Sequence, residues 1–121
     1  MDLTKKEIAE LFSNGKFDQI IDFLSEEIVW NVIGEKTFEG KKDVVENCIQ
    51  IAEYFKSVQT IFKTEEVVVD ENKVIVFGTA EFRRNDKRIN FISACDLYLF
   101  NNRNKIEKIS SYCITEKNNN G

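Results

Sequence analysis

The sequence contains no histidine and no proline. Without histidine, there can be no Ser-His-Asp triad, no imidazole general base and no imidazole metal ligand. Any chemistry must therefore use carboxylates, Tyr, Cys, Lys, Arg or a bound group. No motif in the chain indicates a metal, a nucleotide or another cofactor, so we expect none. Without proline, bends in the chain must come from glycine, asparagine or β-bulges.

Cysteine is scarce, with only Cys48, Cys95 and Cys113. An odd number without a CxxC pair favours neither a disulfide framework nor a zinc site. We expect three small buried apolar side chains in a reducing cytoplasm. The N-terminus has no apolar signal region and no apolar run is long enough to span a bilayer, so we predict a cytoplasmic protein without a membrane partner.

The length of 121 residues predicts a single domain over 1–121, in which 116–121 form a frayed tail. The net charge is −4. An acidic chain of this kind is poorly suited to bind a nucleic acid, because the phosphate backbone requires a basic surface.

The pattern of apolar residues predicts an α+β fold. Thr4 and Glu7 fit a capping box that begins a first helix, which Gly15 ends. Two more helices are predicted at about 17–24 and 41–55. Alternating patterns predict strands at 28–33, 58–69, 74–84, 88–100 and 105–115. The expected architecture is a curved antiparallel sheet with three helices packed on one face.

Two tight turns predict which side chains share a sheet face. If Asn85-Asp86 is a two-residue loop and Phe100 opposes Ile106, one face mixes polar and apolar groups, as a ligand cavity does. The ligand-pocket residues predicted from this face are Phe77, Tyr98, Ser110 and Tyr112. The other face is almost wholly apolar, so we predict a homodimer interface there. Its predicted residues are Val76, Phe82, Phe91, Leu97, Leu99 and Ile109.

Asp96 lies in the middle of an apolar strand. A carboxylate is costly to bury unless it is paired or protonated. Asp96 is therefore the candidate catalytic acid or base, with Tyr98 or Tyr112 as its helper. The alternative is a structural carboxylate that is hydrogen-bonded to Ser110, Tyr98 or Tyr112.

Three stretches of the sequence together resemble the nuclear transport factor 2-like superfamily, the SnoaL-like and ketosteroid-isomerase-like fold. The stretch NGKFD at 14–18, followed by SEEIVW at 25–30, is similar to the family's opening. The stretch FEGKKDVV at 38–45 resembles the start of its third helix. The stretch DLYLF at 96–100, followed after a polar turn by Lys105-Ile106, resembles its hairpin.

The resemblance implies a conical, cone-shaped α+β barrel, usually dimeric, with a pocket between sheet and helices. Trp30 and Val32 are the further ligand-pocket residues that we predict. Trp30 would line the mouth or wall of the pocket if it faces inward, and the alternative is that it packs in the core. In the isomerase branch, the position of the acidic base falls at Val32 and that of the tyrosine near Ile8, while the acid of the penultimate strand matches Asp96. The final-strand acid of the epoxide-hydrolase branch falls near Ser111. The dehydratase branch needs histidine and is excluded.

Two functional hypotheses remain. In the first, the protein binds a small hydrophobic molecule in a pocket between sheet and helices, without a metal or a cofactor. In the second, it is a small isomerase- or cyclase-type enzyme that transfers a proton on a carbonyl-bearing apolar substrate, with Asp96 as the acid or base.

Overall fold

The computed structural model describes residues 3–116 and confirms the α+β class with a curved six-stranded sheet. The residues 117–121 of the predicted tail lie outside this range. In chain order the elements are α1 (Lys5–Ser13), β1 (Leu24–Val32), β2 (Lys36–Glu39), α2 (Lys41–Ser57), β3 (Gln59–Asp70), β4 (Lys73–Arg84), β5 (Lys87–Phe100) and β6 (Ile106–Thr115).

The prediction of three helices was wrong by one. The predicted second helix consists of two single 3₁₀ turns, Phe17–Gln19 and Ile21–Phe23, neither of which has a side-chain cap. So short a segment cannot offset the cost of helix nucleation, and its apolar side chains pack directly into the core instead. Within residues 3–116, no helix is long and apolar enough to cross a membrane.

The start of α1 is as predicted. The Thr4 side chain accepts a hydrogen bond from the Glu7 backbone N–H at 3.1 Å, and the Thr4 N–H donates to Glu7 Oε1 at 2.9 Å. Beyond the C-terminus of α1, Gly15 has a φ of 76°, which is the left-handed conformation that glycine adopts at little cost. The helix is thus fixed at both ends by local sequence.

The sheet has the strand order β2-β1-β6-β5-β4-β3. Four of the five neighbouring pairs are antiparallel, but β1 pairs with β6 in parallel, so the sheet is mixed rather than antiparallel throughout. The strand β2 is not among the predicted strands, and it pairs with β1. Both helices pack on one face, here called the inner face. The opposite face is called the outer face.

Two β-bulges shift the register away from the prediction. The turns themselves are as expected, with Arg84 opposite Lys87 and Phe100 opposite Ile106. Each turn, however, is followed by one unpaired residue, Ile89 in β5 and Glu107 in β6. One extra residue moves every following side chain of the partner strand to the other face.

The bulges place several predicted residues on the wrong faces. Asp96 opposes Val76 and Ser111 instead of Ile75 and Ser110. As a result Phe77, Ser110 and Tyr112 lie on the outer face, and Val76, Phe82 and Ile109, which were predicted at a dimer interface, are buried on the inner face. The predicted interface residues Phe91, Leu97 and Leu99 do lie on the outer face.

Candidate functional site

A cavity of about 350 Å³ lies between the inner face of the sheet and the two helices. Its wall is mainly aromatic and aliphatic. The helix α1 contributes Phe12 and Ser13, and α2 contributes Asn47, Ile51 and Phe55. The strands contribute Trp30, Val32, Phe62, Val76, Ala80, Ile92, Ala94, Asp96, Ser111 and Cys113. An apolar cavity with few polar groups is the usual form of a small-molecule site.

Phe12 packs α1 against the aromatic wall of the cavity. Its ring lies edge-on to three others, at centroid distances of 5.1 Å to Phe17, 5.1 Å to Trp30 and 5.8 Å to Tyr98. Edge-to-face contacts of this kind stabilise beyond simple burial by about 1 kcal/mol each. The end of α1, where Ser13 follows Phe12, is therefore held in a fixed position over the sheet.

Apart from Asp96, the charged residues that line the cavity are exposed and lie at its rim. Glu35 and Lys36, in and beside the turn between β1 and β2, line it together with Lys63 of β3. The Lys36 ammonium lies 5.0 Å from the centroid of the Phe38 ring, which is a cation–π contact. Entry into the cavity thus passes charged groups before it reaches the apolar interior.

Asp96 lies on the inner face of β5 and carries the buried carboxyl of the cavity. Ser13 Oγ donates a hydrogen bond of 2.8 Å to Asp96 Oδ2. Burial raises the pKa of Asp96 above its ordinary value, and the hydrogen bonds from Ser111 and Ser13 oppose that rise because they stabilise the charged form. Burial and these hydrogen bonds therefore act on the pKa of this carboxyl in opposite directions, and the effect of burial is the larger one.

Two further groups hold the partners of Asp96. Trp30 Nε1–H donates a hydrogen bond of 2.9 Å to Ser111 Oγ, and the Tyr98 hydroxyl is 2.5 Å from Ser13 Oγ. Tyr98 is completely buried. We call these five side chains, Tyr98, Ser13, Asp96, Ser111 and Trp30, the Asp96 network.

Cys113 is a second titratable group of the cavity, at its rim. The residue is exposed, not buried as predicted, yet partial desolvation of its sulfur, followed by the negative charges of Asp96 and Glu35, raises the pKa of its thiol to about 11. At neutral pH the sulfur is therefore a thiol and a weak nucleophile. Within residues 3–116, no group of three or more Cys, Asp or Glu is arranged to hold a metal ion.

The structure brings together half of the predicted pocket residues. Trp30 and Val32 line the cavity with Asp96, and Tyr98 lies behind the wall, connected to Asp96 through Ser13. The other three, Phe77, Ser110 and Tyr112, lie on the outer face and cannot contact a molecule in this cavity. Their assignment failed because of the two bulges. That Trp30, Val32 and Tyr98 take part in ligand binding remains a prediction.

The residues that contact Asp96 were not predicted as site residues. Ser111 is next to the predicted Ser110, and only the bulge at Glu107 gives it the inner position. Ser13 comes from a helix 83 positions earlier in the chain. No local pattern connects Ser13 to Asp96, so this contact becomes visible only when the helix is packed on the sheet.

Comparisons with known proteins identify the family. The model of the SnoaL-like domain matches residues 6–109. An NTF2-like protein of unknown function from Cytophaga hutchinsonii is 32% identical, with 88% of this chain and 93% of that chain covered and a TM-score of 0.80. A comparison with curated proteins gives no match.

Two solved enzymes share the fold at lower identity. An epoxide hydrolase of the LEH-like type from M. tuberculosis is 16% identical, covering 91% of this chain and 82% of that chain with a TM-score of 0.67. The epoxide hydrolase/cyclase-like enzyme SalBIII, which has a role in pyran ring formation in salinomycin, is 21% identical, covering 91% and 90% with a TM-score of 0.70. On the match over residues 6–109, the chain belongs to the SnoaL-like domain family.

Proposed function

We propose that the protein binds one small, largely apolar molecule in the cavity between the inner face and the helices. The observation that carries this proposal is an aromatic and aliphatic wall around about 350 Å³ of space, into which few polar groups project, among them the Asp96 carboxyl and the buried Ser111 hydroxyl. This volume falls within the range of small-molecule sites. The aromatic contacts of Phe12 keep the wall in place without a ligand, so little ordering is needed on binding.

The test uses a neutral apolar fluorophore, N-phenyl-1-naphthylamine, whose emission rises in a dry site. We expect saturable binding of one molecule per chain. Ala94→Leu should weaken binding at least about tenfold, since the larger side chain fills the cavity. The matched control is Ser93→Leu, because the neighbouring side chain is exposed and points to the outer face. Absence of saturable binding, or equal binding by Ala94→Leu, would overturn the proposal.

A second candidate is proton transfer on a carbonyl-bearing apolar substrate, with Asp96 as the acid or base. The raised pKa of Asp96 favours it, because a general acid or base works better as its pKa moves from the ordinary carboxyl value towards neutral pH. The epoxide hydrolase and the epoxide hydrolase/cyclase-like enzyme SalBIII have the same fold, so this fold can carry an enzyme site in other proteins. Against it, the position of the base in the isomerase branch is Val32, which cannot accept a proton.

We also propose a second copy of this chain as the partner of the outer face. Apolar side chains follow one another across four strands of this face, and several of them are exposed. They are Ile61, Val68, Ile75, Phe77, Phe91, Leu97, Leu99, Tyr112 and Ile114. A continuous apolar surface of this kind is typical of an interface. In a dimer with two-fold symmetry, the outer faces of the two copies would pack against each other, so one contact would cover both.

A further inference from the structure

In the Asp96 network, each hydrogen bond has a defined donor and a defined acceptor. On the β6 side, Trp30 determines which group donates. An indole N–H can donate a hydrogen bond but cannot accept one, so Ser111 Oγ accepts from Trp30 Nε1 at 2.9 Å. The hydroxyl of Ser111 has a single hydrogen, which this bond leaves free for the carboxyl of Asp96, the residue directly opposite Ser111 on the neighbouring strand β5. One hydrogen therefore reaches Asp96 from β6.

On the α1 side, Tyr98 determines which group donates each hydrogen bond. Among residues 3–116, Ser13 is the hydrogen-bond partner of the Tyr98 hydroxyl. If Ser13 donated to Tyr98, the buried tyrosine hydrogen would have no acceptor, which is unfavourable. Tyr98 therefore donates to Ser13 Oγ, and Ser13 uses its own hydrogen for Asp96 Oδ2. A second hydrogen reaches Asp96 from α1.

Both chains of hydrogen bonds thus end on Asp96 as an acceptor. Each of its two neighbouring hydroxyls already points a hydrogen at the carboxyl, so neither is free to take a proton from it. Within the described residues, no Lys or Arg forms an ion pair with Asp96, although Lys36 and Lys63 lie at the rim together with Glu35 and Cys113. The remaining acceptor sites of the carboxylate face the cavity that Asp96 lines.

We infer that the molecule bound in the cavity presents a hydrogen-bond donor, the O–H of an alcohol or the N–H of an amine, to Asp96. This inference rests on the proposed binding function and specifies its ligand class. In its charged form Asp96 offers only acceptor sites, so a carbonyl oxygen does not fit there, whereas an ammonium or hydroxyl group would supply a further hydrogen bond. The carbonyl-bearing substrate of the second candidate would instead require the protonated form of Asp96.

The experiment compares molecules with one carbon skeleton, 2-decalol, 2-decalone and decalin, by NMR titration of the wild-type protein. We expect 2-decalol to bind at least about tenfold more tightly than 2-decalone, because a hydrogen bond to a charged acceptor is among the stronger ones. In Asp96→Asn the preference should fall to about threefold or less, since the amide can donate to a carbonyl. The control Tyr112→Phe, on the outer face, should keep the wild-type preference.

A second measurement needs no variant and remains informative if Asp96→Asn does not fold. The pKa of the Asp96 carboxyl, followed by its ¹³C shift, should fall when 2-decalol binds and stabilises the charged form. Tighter binding of 2-decalone, or a rise of the pKa with 2-decalol, would overturn the donor inference and leave the binding function intact. If none of the three molecules shifts the signals of the lining residues, both the binding function and the inference are wrong.

Discussion

Ser13, the last residue of α1, donates a hydrogen bond of 2.8 Å to Oδ2 of Asp96, which lies 83 positions later on β5. This bond joins the helix that covers the cavity to the buried acid on its sheet wall. The same serine also contacts the hydroxyl of Tyr98. The end of α1 therefore controls the environment of the carboxyl, and changes at Ser13 should be detectable in the titration of Asp96.

The first prediction concerns the pKa of Asp96. Ser13 stabilises the charged carboxylate and so lowers this pKa. Ser13→Ala should therefore raise it, and Tyr98→Phe should raise it by less, because Tyr98 acts through Ser13. The measurement is carbon-detected NMR of the carboxyl between pH 3 and 9. Tyr112→Phe is the matched control, since Tyr112 is 50% exposed on the outer face. A shift in this control as large as that in Tyr98→Phe would contradict the network.

The second prediction concerns stability against pH. Burial raises the pKa of Asp96 in the folded protein above the value of about 3.9 that the unfolded chain has. Between these two values the folded state binds more protons, so the free energy of unfolding falls as the pH rises. The loss should be about 1.4 kcal/mol for each unit by which the pKa is raised.

The comparison that isolates this loss is wild type against Asp96→Asn, which does not titrate. The wild type should lose stability relative to the variant as the pH rises from about 4 through the folded pKa, and the difference should then become constant. Urea unfolding at a series of pH values measures it. If the difference between the two proteins is constant from pH 4 to 8, or if it changes in the opposite direction, the carboxyl is not titrating in a buried site.

The sequence allowed prediction of the parts of the fold that local patterns specify. The capping box at Thr4, the positive φ at Gly15 and the two hairpin turns all depend on residues that are close in the chain. The alternation of apolar and polar residues also predicted the bounds of the long strands β3 to β6 to within one or two residues at each end. The family resemblance supplied the overall arrangement of helices and sheet.

The faces of β4 and β6 could not be predicted in the same way. A bulge adds one residue without interrupting alternation, and Ile89 and Glu107 carry no glycine or proline signal that would identify one. Because side chains alternate with a period of two, each bulge reversed a whole strand. Asp96 was identified as a carboxylate within an apolar strand, and it lies half-buried on the inner face, because that conclusion did not need the register of the strands.

The third prediction concerns the reactivity of Cys113. With a thiol pKa of about 11, its rate of alkylation by iodoacetamide should rise about tenfold per pH unit from pH 7 to 10, since the thiolate is the nucleophile. The measurement uses a Cys95→Ser background. Cys48 does not interfere because it is buried and its pKa is about 12. A rate that becomes constant below pH 9 would contradict the raised pKa.

The same reaction reports on Asp96. The charge of Asp96 contributes to the raised pKa of Cys113, so Asp96→Asn should increase the alkylation rate at pH 8 by several-fold. The control Glu107→Gln removes a carboxylate in the bulge of β6 and should leave the rate unchanged. An equal effect of the two substitutions would indicate general electrostatics rather than the neighbourhood of Asp96.

The last prediction concerns the outer face. If a second copy covers it, the wild type should sediment as a dimer at about 50 μM, and Phe77→Glu should sediment as a monomer, because a buried unpaired charge is costly. The matched control is Ile49→Glu, which places the same charge on an apolar side chain of α2 that is 53% exposed and lies away from the outer face. Circular dichroism should show that both variants are folded. A monomeric wild type, or dissociation by Ile49→Glu as complete as that by Phe77→Glu, would exclude the outer face as the contact between two copies.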